Sequence, residues 1–194
     1  MKKQFDMTDL GKMRLFLGIE VLQRADGVFI CQGKYAAEIL SRFSMEENNF
    51  VRYPIVPGQK IDADEGVKVN VTQFKQMVGS LMYLTATRTD LIFIVNFISR
   101  FMANPTKLHF AVAKRVLRYL KGTIDYGIFY KRIGTSELVA YADSDYAGDK
   151  EDSKSTSGYV FMMCGAVAWS SKKQPIVTLS TTETEFVAAA ACAF

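Results

Sequence analysis

Cysteine is scarce, with Cys31, Cys164 and Cys192 the only three in 194 residues. They are too few and too widely spaced for a zinc knuckle or a disulfide framework, so buried free thiols in a reducing compartment are expected. Long apolar runs are missing as well. No stretch reaches the length that crosses a bilayer, and the opening MKKQFDMTDLGK lacks the apolar centre of a signal peptide. The expectation is no membrane insertion, no secretion, and a cytoplasmic or nuclear location. Histidine and tryptophan occur once each. His109, in LHFAV beside basic residues, reads as a packing or surface histidine rather than an acid–base group. Trp169, on a strand candidate, reads as core rather than as a base-stacking platform.

What the chain does have is apolar content, 49% of its residues, which suffices for a buried core in one domain or two small ones. Nine methionines at scattered apolar positions read as gap-fillers. The net charge of +4 conceals a local imbalance. Residues 105–132 carry Lys107, Lys114, Arg115, Arg118, Lys121, Lys131 and Arg132 against Asp125 alone. A polyanion would land there.

Periodicity divides the chain into blocks. Residues 13–30 read as two strands joined at Ala25-Asp26-Gly27, a turn able to supply positive φ. Residues 34–43 and 72–86 have the three- and four-residue apolar spacing of helices. Residues 53–70, with Pro54, Pro57, Gly58 and Gly66, read as a linker. Residues 91–102 are apolar almost all round and are predicted to be a buried helix. Asn104-Pro105 predicts the next helix start, by a capping side chain and a proline at the first helical position, and Lys121-Gly122 its end. One face of that helix is Leu108, Ala111, Val112, Val116, Tyr119 and Leu120; another is Lys107, Lys114, Arg118 and Lys121. The basic face suits an ordinary solvated surface or a phosphate-tracking stripe equally well.

After Thr123 the period becomes two, with strand candidates at 126–130, 137–142, 158–164, 166–170 and 175–179. Lys172-Lys173-Gln174 falls between two of them as a hairpin loop, solvated by default but basic enough to meet a nucleic-acid backbone. Ser180-Thr-Thr-Glu183 fits a capping box that opens a final helix.

YADSDYAGD, at the end of the second of these strands, sets three carboxylates in seven residues. Alternation turns Asp143 and Asp145 to the same side, where they could grip a hard cation or form the polar mouth of a turn. A carboxylate at a strand end and another on the first turn of a helix can also hold divalent metal, as two-metal nucleases do. Asp143 and Glu185 are that pair. Glu183 is the rival, already occupied by the capping box, and acids in such places are commonly just solvated.

The run YADSDYAGDKEDSKSTSGYVFMMCGAVAWSSKKQPIVTLSTTETEFVA resembles the start of the ribonuclease H domain of Ty1/copia-type LTR retrotransposon polyproteins. FLGIEV at 16–21, Gln32 to Tyr35, MVGSLMYLTATRTD at 77–90 and PTKLHFAVAKRVLRYLKGT at 105–123 resemble the tail of the same family's reverse transcriptase. The resemblance implies an α/β (mixed α+β) fold: residues 1–30 ending the polymerase palm, a mostly helical thumb and connection over 31–130, and the first half of a ribonuclease H-like mixed sheet with one helix over 131–194. TRTD carries Thr89 where the family has proline, which touches only the local turn.

By the same resemblance Asp143 and Glu185 match two metal-binding carboxylates of a nuclease that cuts the RNA of RNA–DNA hybrids with Mg²⁺. Asp145 has no assigned role. Two further aspartates of that site, and the polymerase's Tyr-x-Asp-Asp turn, do not occur in the 194 residues. The expectation is therefore a truncated fragment, inactive alone and not a stable Mg²⁺ binder. It retains affinity for hybrid or duplex nucleic acid through Lys107, Lys114, Arg118, Lys121, Lys172 and Lys173. Phe186 and Val187 are expected to be exposed and to invite self-association or the rest of the polyprotein. The alternative is an excerpt of an active polyprotein whose neighbouring residues complete both sites. A remoter one rests on Arg115-Val-Leu-Arg118, which matches the RxLR tetrapeptide of secreted pathogen effectors. Helix amphipathicity accounts for those four residues without it.

Overall fold

The computed structural model describes residues 11–56, 58, 61, 66–134 and 137–193. The fold is mixed α/β, built from helices and two antiparallel sheets. The first sheet has the order β1 (Leu15–Phe16), β2 (Ile19–Gln23), β3 (Gly27–Cys31), β4 (Gly127–Lys131). Residues 13–24, expected as one strand, are split by a two-residue turn in which Leu17 and Gly18 take φ of +46° and +73°. Both central positions of such a hairpin turn need positive φ, and glycine meets that without strain at the second. Gly27, expected at positive φ, is not there. It is glycine for a different reason: a Cβ would stand 2.2 Å from the carbonyl oxygen of Tyr130 on β4.

The helices are α1 (Gly33–Arg42), α2 (Val71–Leu84), α3 (Ile92–Ser99) and α4 (Lys107–Gly122), with a 3₁₀ turn at Thr89–Leu91. Ile39, Phe74, Leu81, Leu84, Leu91, Ile98, Leu117 and Leu120 interlock as their core, each without exposed surface. Large leucine, isoleucine and phenylalanine side chains at helical spacing bury well here, each worth about 1.5–3 kcal/mol. α3 is not buried all round, since Phe93 is 41% exposed. α4 starts two residues later than expected. Thr106 caps it, donating its amide to His109 Nδ1 at 3.1 Å, and the His109 ring stacks 4.0 Å from Phe101. The histidine thus takes the part usually played by Glu in a capping box. The buried stripe of α4 is His109, Val112, Ala113, Val116, Leu117 and Leu120, while Ala111 is exposed. Relative to expectation the stripe takes in His109, Ala113 and Leu117 and leaves out Ala111. Gly122 is the last helical residue, not a left-handed cap, and Phe50 lies 3.0 Å from where its Cβ would be. Of the expected linker, Pro57 and residues 59, 60 and 62–65 lie outside the described residues.

The second sheet has the order β5 (Val139–Ser144), β6 (Thr156–Met162), β7 (Ala166–Lys173) and is antiparallel throughout, not mixed. α5 (Thr181–Ala193) packs on β5 and β6, and α3 packs against β7. Residues 175–179 form bends rather than a strand, and Lys172 and Lys173 end β7 rather than sit in a loop. Gln174 is buried and donates to Ser157 Oγ at 2.8 Å and the Thr184 carbonyl at 3.0 Å, which draws the chain off the sheet toward α5. Lys131 N–H to the Cys164 carbonyl (3.0 Å) and Tyr130 Oη to the Ala166 carbonyl (2.7 Å) tie the two sheets. Trp169 Nε1 donates to the Thr85 carbonyl at 2.9 Å and ties the second sheet to the end of α2. Among the described residues no helix is long and apolar enough to cross a membrane.

Candidate functional site

β5 arises from a β-prone run whose register sets Tyr141 opposite Val160 and Asp143 opposite Gly158. Alternation turns Tyr141, Asp143 and Asp145 toward the 3₁₀ turn and α3, where they border a cleft with Asp90, Phe93 and Trp169. Asp143 and Asp145 do share a side. Their carboxylates do different things. Asp143 is exposed and accepts the amide of Ser144 at 2.9 Å. Asp145 accepts the amide of Thr156 at 2.6 Å and so pins the turn that leaves β5.

Asp149 anchors that turn to the helices. It meets Lys173 Nζ at 2.6 Å and Arg100 Nη1 at 3.4 Å, and Lys173 also reaches Asp152 at 2.8 Å. Burial works to raise the Asp149 carboxyl, but the Lys173 hydrogen bond, the Glu151 amide and the Arg100 charge outweigh it and hold the group below its ordinary value. Burial likewise works to lower Lys173, and its two carboxylate partners lift it above the ordinary lysine value.

α5 opens as expected. Ser180 Oγ accepts the Glu183 amide at 3.2 Å, and the Glu183 carboxylate returns to the amide of Leu179, at 2.7 Å, rather than to that of Ser180. Glu185 is exposed and borders a separate recess with Ala142, Thr181 and Phe186. Ala142, the strand neighbour of Asp143, borders both this recess and the Asp143 cleft, so the two adjoin there. Among the described residues no three of His, Cys, Asp and Glu are grouped to hold a metal. Two carboxylates alone are too few oxygen ligands for a pair of Mg²⁺ ions, which want octahedral oxygen shells.

The six basic candidates also separate. Arg118 Nε donates to the Asn49 carbonyl at 2.6 Å, Lys121 donates to the carbonyls of Glu46 and Asn48, and Lys173 is in the ion-pair cluster. These three hold the protein together. Lys107, Lys114 and Lys172 are exposed, with Lys114 lying 5.1 Å from the Phe110 ring centroid. Sequence reasoning missed Arg88, which is 2% exposed and bonded on all sides, and the gathering of Lys12 and Arg24 with Lys131 and Arg132, already marked in the basic segment, at one end of the first sheet. The clustering of the latter depends on β3 pairing with β4, a contact too distant in sequence for periodicity to reveal.

A family model described as reverse transcriptase (RNA-dependent DNA polymerase) matches residues 1–57. The retrovirus-related Pol polyprotein from transposon RE1 of Arabidopsis thaliana is 40% identical over 96% of this chain. An uncharacterized mitochondrial protein of the same plant is 37% identical over 96% of this chain and 78% of its own length. This chain belongs to the copia-type retrotransposon Pol family. It spans 13% of the length of the RE1 polyprotein. Secreted RxLR effector protein 161 of Plasmopara viticola is 50% identical over 57% of this chain and 80% of its own length. No solved structure matches the chain.

Proposed function

We propose that this polypeptide by itself binds RNA–DNA hybrid or duplex nucleic acid through exposed lysines and does not cleave it. The observation that supports the second half is that, among the described residues, no three of His, Cys, Asp and Glu are grouped to hold a metal. Membership of a Pol family supports nucleic acid as the ligand class, and Lys107, Lys114 and Lys172 supply the exposed charge. With about three cations available, log affinity for a duplex falls against log salt with a slope of about −3. Fluorescence anisotropy with a labelled hybrid tests this. Changing Lys107, Lys114 and Lys172 together to Gln should flatten the slope, whereas Lys121→Gln should lower stability instead; an unchanged slope in the triple variant refutes the assignment.

A second reading is that residues outside this chain complete a ribonuclease H site in a polyprotein. The free edge of β5, and Phe186 and Leu179 at 71% and 87% exposed, favour it. Val187, expected to be exposed too, is partly buried. Expression joined to downstream polyprotein sequence, followed by a hybrid-cleavage assay with Mg²⁺, tests it: the joined form should cut and Asp143→Asn should abolish cutting.

Similarity to the Plasmopara protein raises an effector reading. Against it, Val116 and Leu117 of Arg115-Val-Leu-Arg118 have no exposed surface and Arg118 is bound to Asn49, so the tetrapeptide is a packed helix turn. Fractionation of the expressed protein between medium and cells should find it in the cells; recovery from the medium would favour the effector.

A further inference from the structure

β3 and β4 carry the same three-residue pattern, Gly27-Val-Phe29 and Gly127-Ile-Phe129, and pair antiparallel with Phe29 directly opposite Phe129. Each glycine sits diagonally across from the other strand's phenylalanine. A Cβ on Gly27 would lie 2.7 Å from Phe129 Cζ, and one on Gly127 would lie 2.8 Å from Phe29 Cζ. The rings therefore lie down across the neighbouring strand, reaching into the space the glycines leave open, and point away from each other. Leu22 of β2, opposite Phe29, extends this row and is 41% exposed. The other sheet face, with Ile30 and Ile128, turns to the interior; this one borders a cleft lined, among the described residues, by the sheet, by Arg24 and Asp26 of the β2–β3 turn and by Asp125.

We propose that this face stacks unpaired bases of single-stranded nucleic acid on Phe29 and Phe129. A ring lying flat on an open sheet offers its π-face to a base, and such stacking tolerates any base. Charge supplies the direction. Arg24 lies over the Phe29 ring, 5.8 Å from its centroid, and swings aside when a base stacks there; with Lys12, Lys131 and Arg132 it makes a cationic end for phosphates. Glu20 and Asp125 border the other end, where a phosphate is disfavoured and an exocyclic amino group of a base is not; Glu20 already accepts the Lys34 amide at 2.8 Å. Asp26, at the turn beside the cations, accepts the Arg132 amide through its backbone carbonyl. This site is separate from the lysines of α4 and β7 and does not depend on their role.

The test is anisotropy of the full chain with a short labelled single strand and with a duplex of the same sequence. Phe29→Leu with Phe129→Leu keeps the apolar surface and removes the π-faces. It should weaken single-strand binding about tenfold and leave duplex binding unchanged, and the Phe29→Tyr, Phe129→Tyr pair should restore it. Should the leucine pair not fold, ultraviolet cross-linking of the unaltered chain to a 5-iodouracil-substituted strand decides, with adducts on β3 and β4 expected and adducts confined elsewhere refuting the site. Equal single-strand affinity in a folded leucine pair overturns the proposal. So does absence of single-strand binding, or a dimer that the leucine pair dissociates, since the face would then join two copies.

Discussion

Arg88 forks onto Asp90: Nε and Nη2 meet the two carboxylate oxygens at 2.9 and 2.7 Å. The same guanidinium donates to the carbonyl and hydroxyl of Thr123 at 2.9 and 2.7 Å and lies 5.7 and 5.5 Å from the Tyr119 and Tyr126 ring centroids. One buried side chain thereby clasps the end of α2, the 3₁₀ turn and the end of α4. Thr87 adds a bond to Gln32 Oε1 at 2.9 Å at the start of α1. TRTD is a structural clasp, and its third position is an outward turn residue.

Arg88→Lys should therefore be expensive despite keeping the charge, because an ammonium cannot serve Asp90 and Thr123 in one planar fork. A loss of about 1–3 kcal/mol is expected in urea unfolding, since the buried Thr123 groups lose a donor. A loss within experimental error would show that the clasp contributes little.

Gly27→Ala and Gly127→Ala should each destabilise by about 3 kcal/mol, the upper end for forced overpacking, because the new Cβ meets a carbonyl oxygen of the facing strand as well as a ring. The closest backbone distances would be 2.2 and 2.1 Å. Gly79→Ala, where a Cβ meets nothing within 4 Å, should instead stabilise α2 by a fraction of a kcal/mol, up to about 1. Thermal melts separate the two classes.

The tie between α3 and the second sheet is pH-dependent at both extremes. Asp149 has a lowered folded pKa, so its contribution is complete above the unfolded carboxyl value near 3.8 and is lost as pH falls through the lower folded value. Lys173 has a raised folded pKa, so its contribution is complete below about 10.5 and is lost as pH rises through the higher folded value. Asp149→Asn should blunt the acid limb of a stability–pH profile. An unchanged acid limb would remove Asp149 from the account.

Phe186→Ser should raise solubility without lowering the unfolding free energy by more than about 0.5 kcal/mol, because the ring is 71% exposed. Solubility by precipitant titration checks the first part and urea unfolding the second.

Helices α1, α2 and α4 and strands β6 and β7 could be read from the sequence because each carries its own period, so local burial alone specifies them. What escaped depends on contacts between distant segments. The turn at Leu17-Gly18 is hidden in an apolar run because Leu17 is a poor left-handed residue by propensity. For His109 the sequence left packing and surface placement both open, since nothing local announces Phe101 beneath it. The six lysines and arginines read as one class until the 46–49 carbonyls and Asp149 claimed three of them. Asp143 and Asp145 share a side by simple alternation, yet which of the two is free to act depends on Thr156 across the β5–β6 turn.

The most direct test of the account is incubation of the purified chain, cleared of contaminating nuclease, with an end-labelled RNA–DNA hybrid and Mg²⁺, product being followed on a denaturing gel alongside Asp143→Asn. The account predicts bound but intact RNA with both proteins. Accumulating RNA fragments that disappear with Asp143→Asn would contradict it.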